Sequence, residues 1–108
     1  MEVLQWTMSI PRDKQDEFVR FYDQTMRPTW LKFGATKCEL FKTFREKVAG
    51  QNSLPEDQFV EMLYLEQGLT AEDFFNKVKA VPEAWEISRQ YEKRFGAKDI
   101  VMRVLQNV

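Results

Sequence analysis

A chain of 108 residues with net charge −1, 44% hydrophobic and 31% charged side chains, has the size and balance of one folded domain over residues 1–108. That balance argues against a disordered chain and leaves no basic stripe to neutralise nucleic-acid phosphates; no apolar run approaches the ~20 residues of a membrane span. Histidine is absent, which removes the commonest general base, the commonest zinc ligand and the usual haem ligand, so neither a metal nor a cofactor is expected.

The opening MEVLQWTMSI reads as a strand rather than a signal peptide. Leu4, Trp6, Met8 and Ile10 alternate with Gln5, Thr7 and Ser9, the period of a half-buried strand, and Pro11 closes it. From residue 12 the period changes. Phe18, Phe21, Tyr22, Thr25 and Met26 form the stripe of an amphipathic helix, with Asp13, Asp16 and Glu17 in its first turns. Pro28 interrupts it by a kink or by a restart with proline in the first turn, and Gly34 stops it.

Residues 35–48 alternate again, Cys38, Leu40 and Phe44 against Glu39, Phe41 and Thr43, with Lys42 breaking the first set. Residues 49–58, AGQNSLPEDQ, carry turn chemistry. A return strand follows over 59–66, placing Val60, Met62 and Tyr64 opposite Phe59, Glu61, Leu63 and Leu65. Thr70 and Asp73 announce a capped helix, whose stripe of Phe74, Phe75, Val78 and Val81 ends at Pro82. It resumes as Ala84, Ile87, Tyr91 and Phe95 and stops at Gly96. The last strand sets Ile100, Met102 and Val104 against Val101, Arg103 and Leu105.

Phe-Gly-Ala therefore occurs twice, at 33–35 and 95–97, each time after a proline-interrupted helix and before a strand. One supersecondary unit used twice gives β-α-β-β-α-β, a ferredoxin-like α+β fold. Right-handed crossovers put the antiparallel strands in the order 4-1-3-2 with both helices on one face. The face carrying Leu4, Cys38, Val60, Met62, Tyr64 and Met102 is expected under the helices. The other carries Phe41, Phe59, Glu61, Leu63, Leu65, Val101, Arg103 and Leu105 and is left uncovered. Such a patch exceeds the ~300–600 Å² usual on a monomer, and covering it gains ~25 cal/mol per Å². A second copy is the simplest cover, so these eight residues form the expected homodimer interface. Glu61 is expected opposite Arg45 across the hairpin.

In length, element order and sheet-face chemistry, the whole chain resembles the dimeric α+β barrel superfamily, which includes antibiotic-biosynthesis monooxygenase-like proteins. Haem-degrading and isomerase relatives use a histidine this chain lacks. Cofactor-free monooxygenases of the superfamily rely on Trp, Tyr, Asn and Arg. The resemblance implies a pocket between sheet and helices, on which Trp6, Tyr22, Trp30, Tyr64 and Trp85 are expected to converge. It implies a homodimeric small-molecule-binding protein, with a cofactor-independent, monooxygenase-like oxidoreductase acting on an aromatic or phenolic ligand as one reading. A non-catalytic dimeric module with an aromatic-filled core is the other. Tyr64 is the best placed side chain for proton transfer on the expected helix-facing side. Cys38 is expected to be a buried, inert thiol; a single cysteine forms no internal disulfide and suits the reducing cytoplasm.

Overall fold

Strand β1 (Glu2–Ser9) runs down the middle of the sheet, as its alternation and the closing Pro11 predict. The structure is a computed structural model and describes residues 1–43 and 58–108. After β1 the chain forms α1 (Arg12–Phe21), one π-helical turn (Tyr22–Met26) and α2 (Arg27–Lys32). Strands β2 (Ala35–Lys42) and β3 (Gln58–Leu65) follow, then α3 (Ala71–Ala80), α4 (Pro82–Ser88), α5 (Gln90–Lys93) and β4 (Lys98–Gln106). The sheet order is β2-β3-β1-β4 with every neighbour antiparallel, the expected topology. Phe44, Arg45 and most of the 49–58 turn stretch lie outside the described residues.

The π turn follows from the side chains the first helix buries. Phe18, Tyr22, Met26 and Trp30 are all buried at a strict spacing of four. On a helix of 3.6 residues per turn that spacing drifts by ~40° per step. A wider turn at Tyr22–Met26 absorbs the drift and keeps all four side chains on the core. It also lies just ahead of Pro28, which sits in the first turn of α2 and has no N–H to return to the preceding turn. In the second half the device differs. Val81 is extended and Pro82 opens α4, because the residue before proline avoids the helical region. Thr70 closes the capping box on α3: its Oγ1 accepts from the Asp73 N–H at 3.1 Å while its own N–H donates to Asp73 Oδ2. Glu2 Oε1 accepts the neighbouring Ala71 N–H at 2.8 Å, tying that helix start to β1.

Both Phe-Gly-Ala joints use the glycine at positive φ, +114° at Gly34 and +66° at Gly96. Gly34 has less freedom to change, because a Cβ there would overlap Leu69 Cδ2 and its carbonyl already accepts from Glu66 N at 2.9 Å. Gly34→Ala is expected to cost about 1–3 kcal/mol through backbone strain and the displaced leucine, read as a lowered urea midpoint. An unchanged midpoint would show that the joint relaxes freely.

The sheet faces differ from expectation at β3. Leu4 pairs with Leu63, Trp6 with Glu61 and Met8 with Phe59, and β2 pairs Cys38 with Leu63 and Leu40 with Glu61. Cross-strand partners share a face. Phe59, Glu61, Leu63 and Leu65 therefore lie under the helices, at most 2% exposed, rather than on the outer face where a partner would meet them. Val60, Met62 and Tyr64 take the outer face instead. FVEMLYL is apolar in both parities, so period two marks a strand without saying which side is inward. Glu61 made its own set look solvent-facing, and the tertiary structure buries that carboxylate deliberately.

Strands β1, β2 and β4 keep the expected parity, and Phe41, Val101, Arg103 and Leu105 remain outside. The helices stop short of β4. Met102 pairs with Trp6 and Val104 with Leu4, on the helix side, yet Ile100, Met102 and Val104 stay about 40% exposed. Strand β4 is thus an apolar edge with both faces uncovered in the single chain.

Candidate functional site

The gap between α3–α5 and the β1–β4 side of the sheet is a cavity of about 410 Å³. Trp6, Met8 and Ile100 wall it from the sheet, Trp30 from α2, and Phe74, Phe75, Trp85 and Tyr91 from the second half of the chain. The rings brace one another: Trp6 lies 5.9 Å from Phe75 and 6.3 Å from Tyr91, and Trp30 meets Phe74 edge-on at 6.0 Å. Arg89, Glu92 and Ser88 supply the polar part of the lining. An apolar, ring-walled space with a few polar groups is the usual form of a small-molecule site.

A buried polar chain leads inward from two residues of the cavity wall. Trp30 Nε1 donates to Tyr91 Oη at 3.2 Å, and Tyr91 Oη donates to Glu61 at 2.9 Å from Oε1 and 3.1 Å from Oε2. Glu61 is fully buried on β3. Burial pushes its carboxyl up to about 7, against the opposing pull of the Tyr91 and Tyr22 hydroxyls and the Arg27 charge. Burial, and then the Glu61 charge, holds the Tyr91 phenol far above the ordinary tyrosine range. The same two causes raise the Tyr22 phenol, whose buried hydroxyl faces Glu61 but forms no hydrogen bond of ordinary length and angle. Arg27 lies with its guanidinium 5.2 Å from the Tyr22 ring centre and pairs with Asp23 at 3.2 Å. Cys38 is buried beside this group, and burial together with Glu61 pushes its thiol up to about 12, which keeps it protonated.

Of the five side chains expected to converge, Trp6, Trp30 and Trp85 line the cavity. Tyr22 is buried beside Glu61 and lines none of the cavity. Tyr64 is on the opposite face of the sheet, where its hydroxyl donates to Glu39 Oε1 at 2.7 Å beneath Lys37, 5.5 Å from its ring centre. It cannot serve the cavity, because β3 presents its even-numbered residues outward. Sequence reasoning missed Tyr91 and Glu61 as site residues. Tyr91 was one member of an apolar helix stripe, and only its hydroxyl hinted at a buried partner. Glu61 could be found only once the register of β3 against β1 was known. Among the described residues no cluster of His, Cys, Asp and Glu could hold a metal ion, and no helix is long and apolar enough to cross a membrane.

No family model matches the sequence, and no curated protein matches it. Solved structures do match, over the whole of this chain. HapK from Hahella chejuensis is similar at TM-score 0.71 and 13% identity, with 93% of that chain covered. A NIPSNAP domain protein from Burkholderia xenovorans matches at 0.70 and 12%, covering 95% of it. An antibiotic biosynthesis monooxygenase matches at 0.69 and 11%, covering 99% of it. Identities this low speak for the fold. The chain carries a ferredoxin-like α+β fold, the fold it shares with these solved structures.

Proposed function

We propose that the protein binds a flat aromatic or phenolic small molecule in the Trp6–Trp30–Trp85 cavity and acts on it as a monooxygenase-like oxidoreductase. The carrying observation is the cavity itself, about 410 Å³ between sheet and helices, walled by rings. Its size and chemistry suit a ligand of two or three fused rings, stacked and dehydrated on closure. Neighbours in fold that are antibiotic biosynthesis monooxygenases support the reaction class. In the proposed reaction the phenolic ligand itself supplies four electrons to O2: one oxygen atom replaces a ring hydrogen to give a quinone, the other leaves as water with that hydrogen and the phenol hydrogen, and the protein's part is to orient the ring and exclude bulk water. The working unit is a homodimer, packed through the outer sheet face around Phe41, Val60, Met62, Val101 and Leu105. That patch is as apolar as the expected one, although β3 contributes different residues to it. The single buried thiol suits a cytoplasmic protein.

The test exploits a feature of this chain: it has three tryptophans, and all three line the cavity. Intrinsic fluorescence therefore reports the site without background. Anaerobic titration with a naphthohydroquinone is expected to quench it saturably, and admitting air is expected to start oxygen uptake faster than in a Trp6→Ala variant. Native mass spectrometry of the same sample should show twice the subunit mass. No quenching would end the ligand reading. Quenching without enzyme-dependent oxygen uptake would favour a binding module, a reading helped by the Trp30 donor already being satisfied by Tyr91.

A further inference from the structure

Tyr91 is an unusual cavity residue because its hydrogen is already spent. A phenol has one hydrogen to donate and two lone pairs to accept with. The Tyr91 hydrogen is committed to Glu61, which is fully buried and offers both oxygens within 3.1 Å. One lone pair is occupied by the Trp30 indole N–H. Tyr91 is among the residues that line the cavity, and a single acceptor position is all that its hydroxyl has left to offer there. An ordinary tyrosine in a pocket offers a donor and welcomes carbonyls and ethers; this one offers the reverse.

We infer that Tyr91, held by Trp30 and Glu61, is the specificity-determining residue of the cavity. It selects ligands that bring a hydroxyl or N–H over ligands of the same shape that bring only acceptors, and protonation of Glu61 relaxes that selection. This rests on the cavity being a ligand site, as proposed above. The physical reason is the cost of misplacing a polar group in a dry space. A ligand ether oxygen set against the Tyr91 lone pair leaves two acceptors facing each other with no hydrogen between them. A ligand hydroxyl satisfies both sides. The Glu61 charge pins the Tyr91 hydrogen. Once protonated, the carboxyl can itself donate to the Tyr91 oxygen, and the hydroxyl is then free to turn its hydrogen toward the cavity.

The groups that act on Glu61 come from several elements. Tyr91 belongs to α5, Tyr22 to the π turn, Arg27 to α2 and Cys38 to β2, while its β1 partner is the uncharged Trp6. Burial holds both phenols and the thiol protonated across the neutral range, whereas the Glu61 carboxyl changes charge there.

The experiment uses a matched pair of probes, 2-naphthol and 2-methoxynaphthalene, titrated by tryptophan fluorescence into the full chain and two variants. Wild type is expected to prefer the naphthol by about tenfold at about pH 8.5, with the preference falling toward unity at about pH 5.5. Tyr91→Phe should bind both probes equally at either pH. Glu61→Gln, which keeps an acceptor for Tyr91 without a titrating charge, should show a preference that does not change with pH. A wild-type preference that survives in Tyr91→Phe, or a pH dependence that survives in Glu61→Gln, overturns the assignment. Equal, pH-independent binding of both probes to wild type also overturns it, yet leaves the aromatic-ligand reading standing. Failure of 2-naphthol to bind wild type at either pH overturns both. If Tyr91→Phe proves unfolded by its melting curve, the Glu61→Gln comparison decides alone.

Discussion

Glu61→Gln is expected to make the protein more stable at pH 8 and to leave it nearly unchanged at pH 4.5, relative to a wild type that weakens steadily between. The sign follows from burial. The Glu61 carboxyl sits at about 7 in the folded chain against 4.5 for the ordinary group. Below 4.5 it is protonated in both folded and unfolded chains, and the folded state carries no penalty. Between 4.5 and about 7 the folded chain keeps a proton that the unfolded chain has released, so stability falls as pH rises. Above about 7 it is ionised in both, and the loss is complete. At ~1.4 kcal/mol per unit of difference, the whole loss is about 3 kcal/mol. For a domain of this size that corresponds to roughly 10–20 °C in melting temperature. Glutamine has no charge to bury and still accepts from Tyr91, so its stability lacks this slope. The measurement is the difference in melting temperature between variant and wild type across pH 4.5–8. A flat difference would mean that water reaches Glu61.

Phe18→Ala is expected to cost about 3–5 kcal/mol, a large share of the 5–15 kcal/mol that holds a domain together. Phe18 has no exposed surface. Its ring meets Phe59 at 5.2 Å, Phe95 at 5.3 Å, Tyr91 at 6.0 Å and Tyr22 at 6.3 Å. It therefore joins α1 to β3, to the π turn and to the end of the second helical half, and those braced rings collapse poorly into a void. Urea denaturation should show a lower midpoint at unchanged slope. A loss under about 1 kcal/mol would show that the core closes around the gap. The same substitution removes a ring that supports Tyr91, so weaker binding of 2-naphthol should accompany it.

Much of the architecture is local in origin and was legible along the chain. Period two marked β1, β2, β3 and β4. Thr70 and Asp73 marked the start of α3 through a hydrogen-bond pair that two side chains three residues apart make by themselves. Gly34 and Gly96 marked the two helix ends because each joint needs positive φ. Chirality and element order then left one sheet order, which is the order observed. The tryptophans also pointed to the cavity region, since large rings need space between layers and each lies on an element that borders it.

The rest depended on which atoms meet across the fold. Alternation tells that successive residues point opposite ways and carries no sign, so a strand such as FVEMLYL, with apolar residues in both parities around one glutamate, can be turned over without breaking any local rule. Its direction comes from pairing with β1, which puts Glu61 beside Trp6. From that one fact follow the burial of the carboxylate, its bond to Tyr91 thirty residues away, and the removal of Tyr64 to the far side of the sheet. The sequence by itself determined the elements, their order and a chain rich enough in rings to enclose a cavity. Only the tertiary structure decided which face of β3 is inward, because a buried charge is tolerated solely where distant side chains arrive to share it.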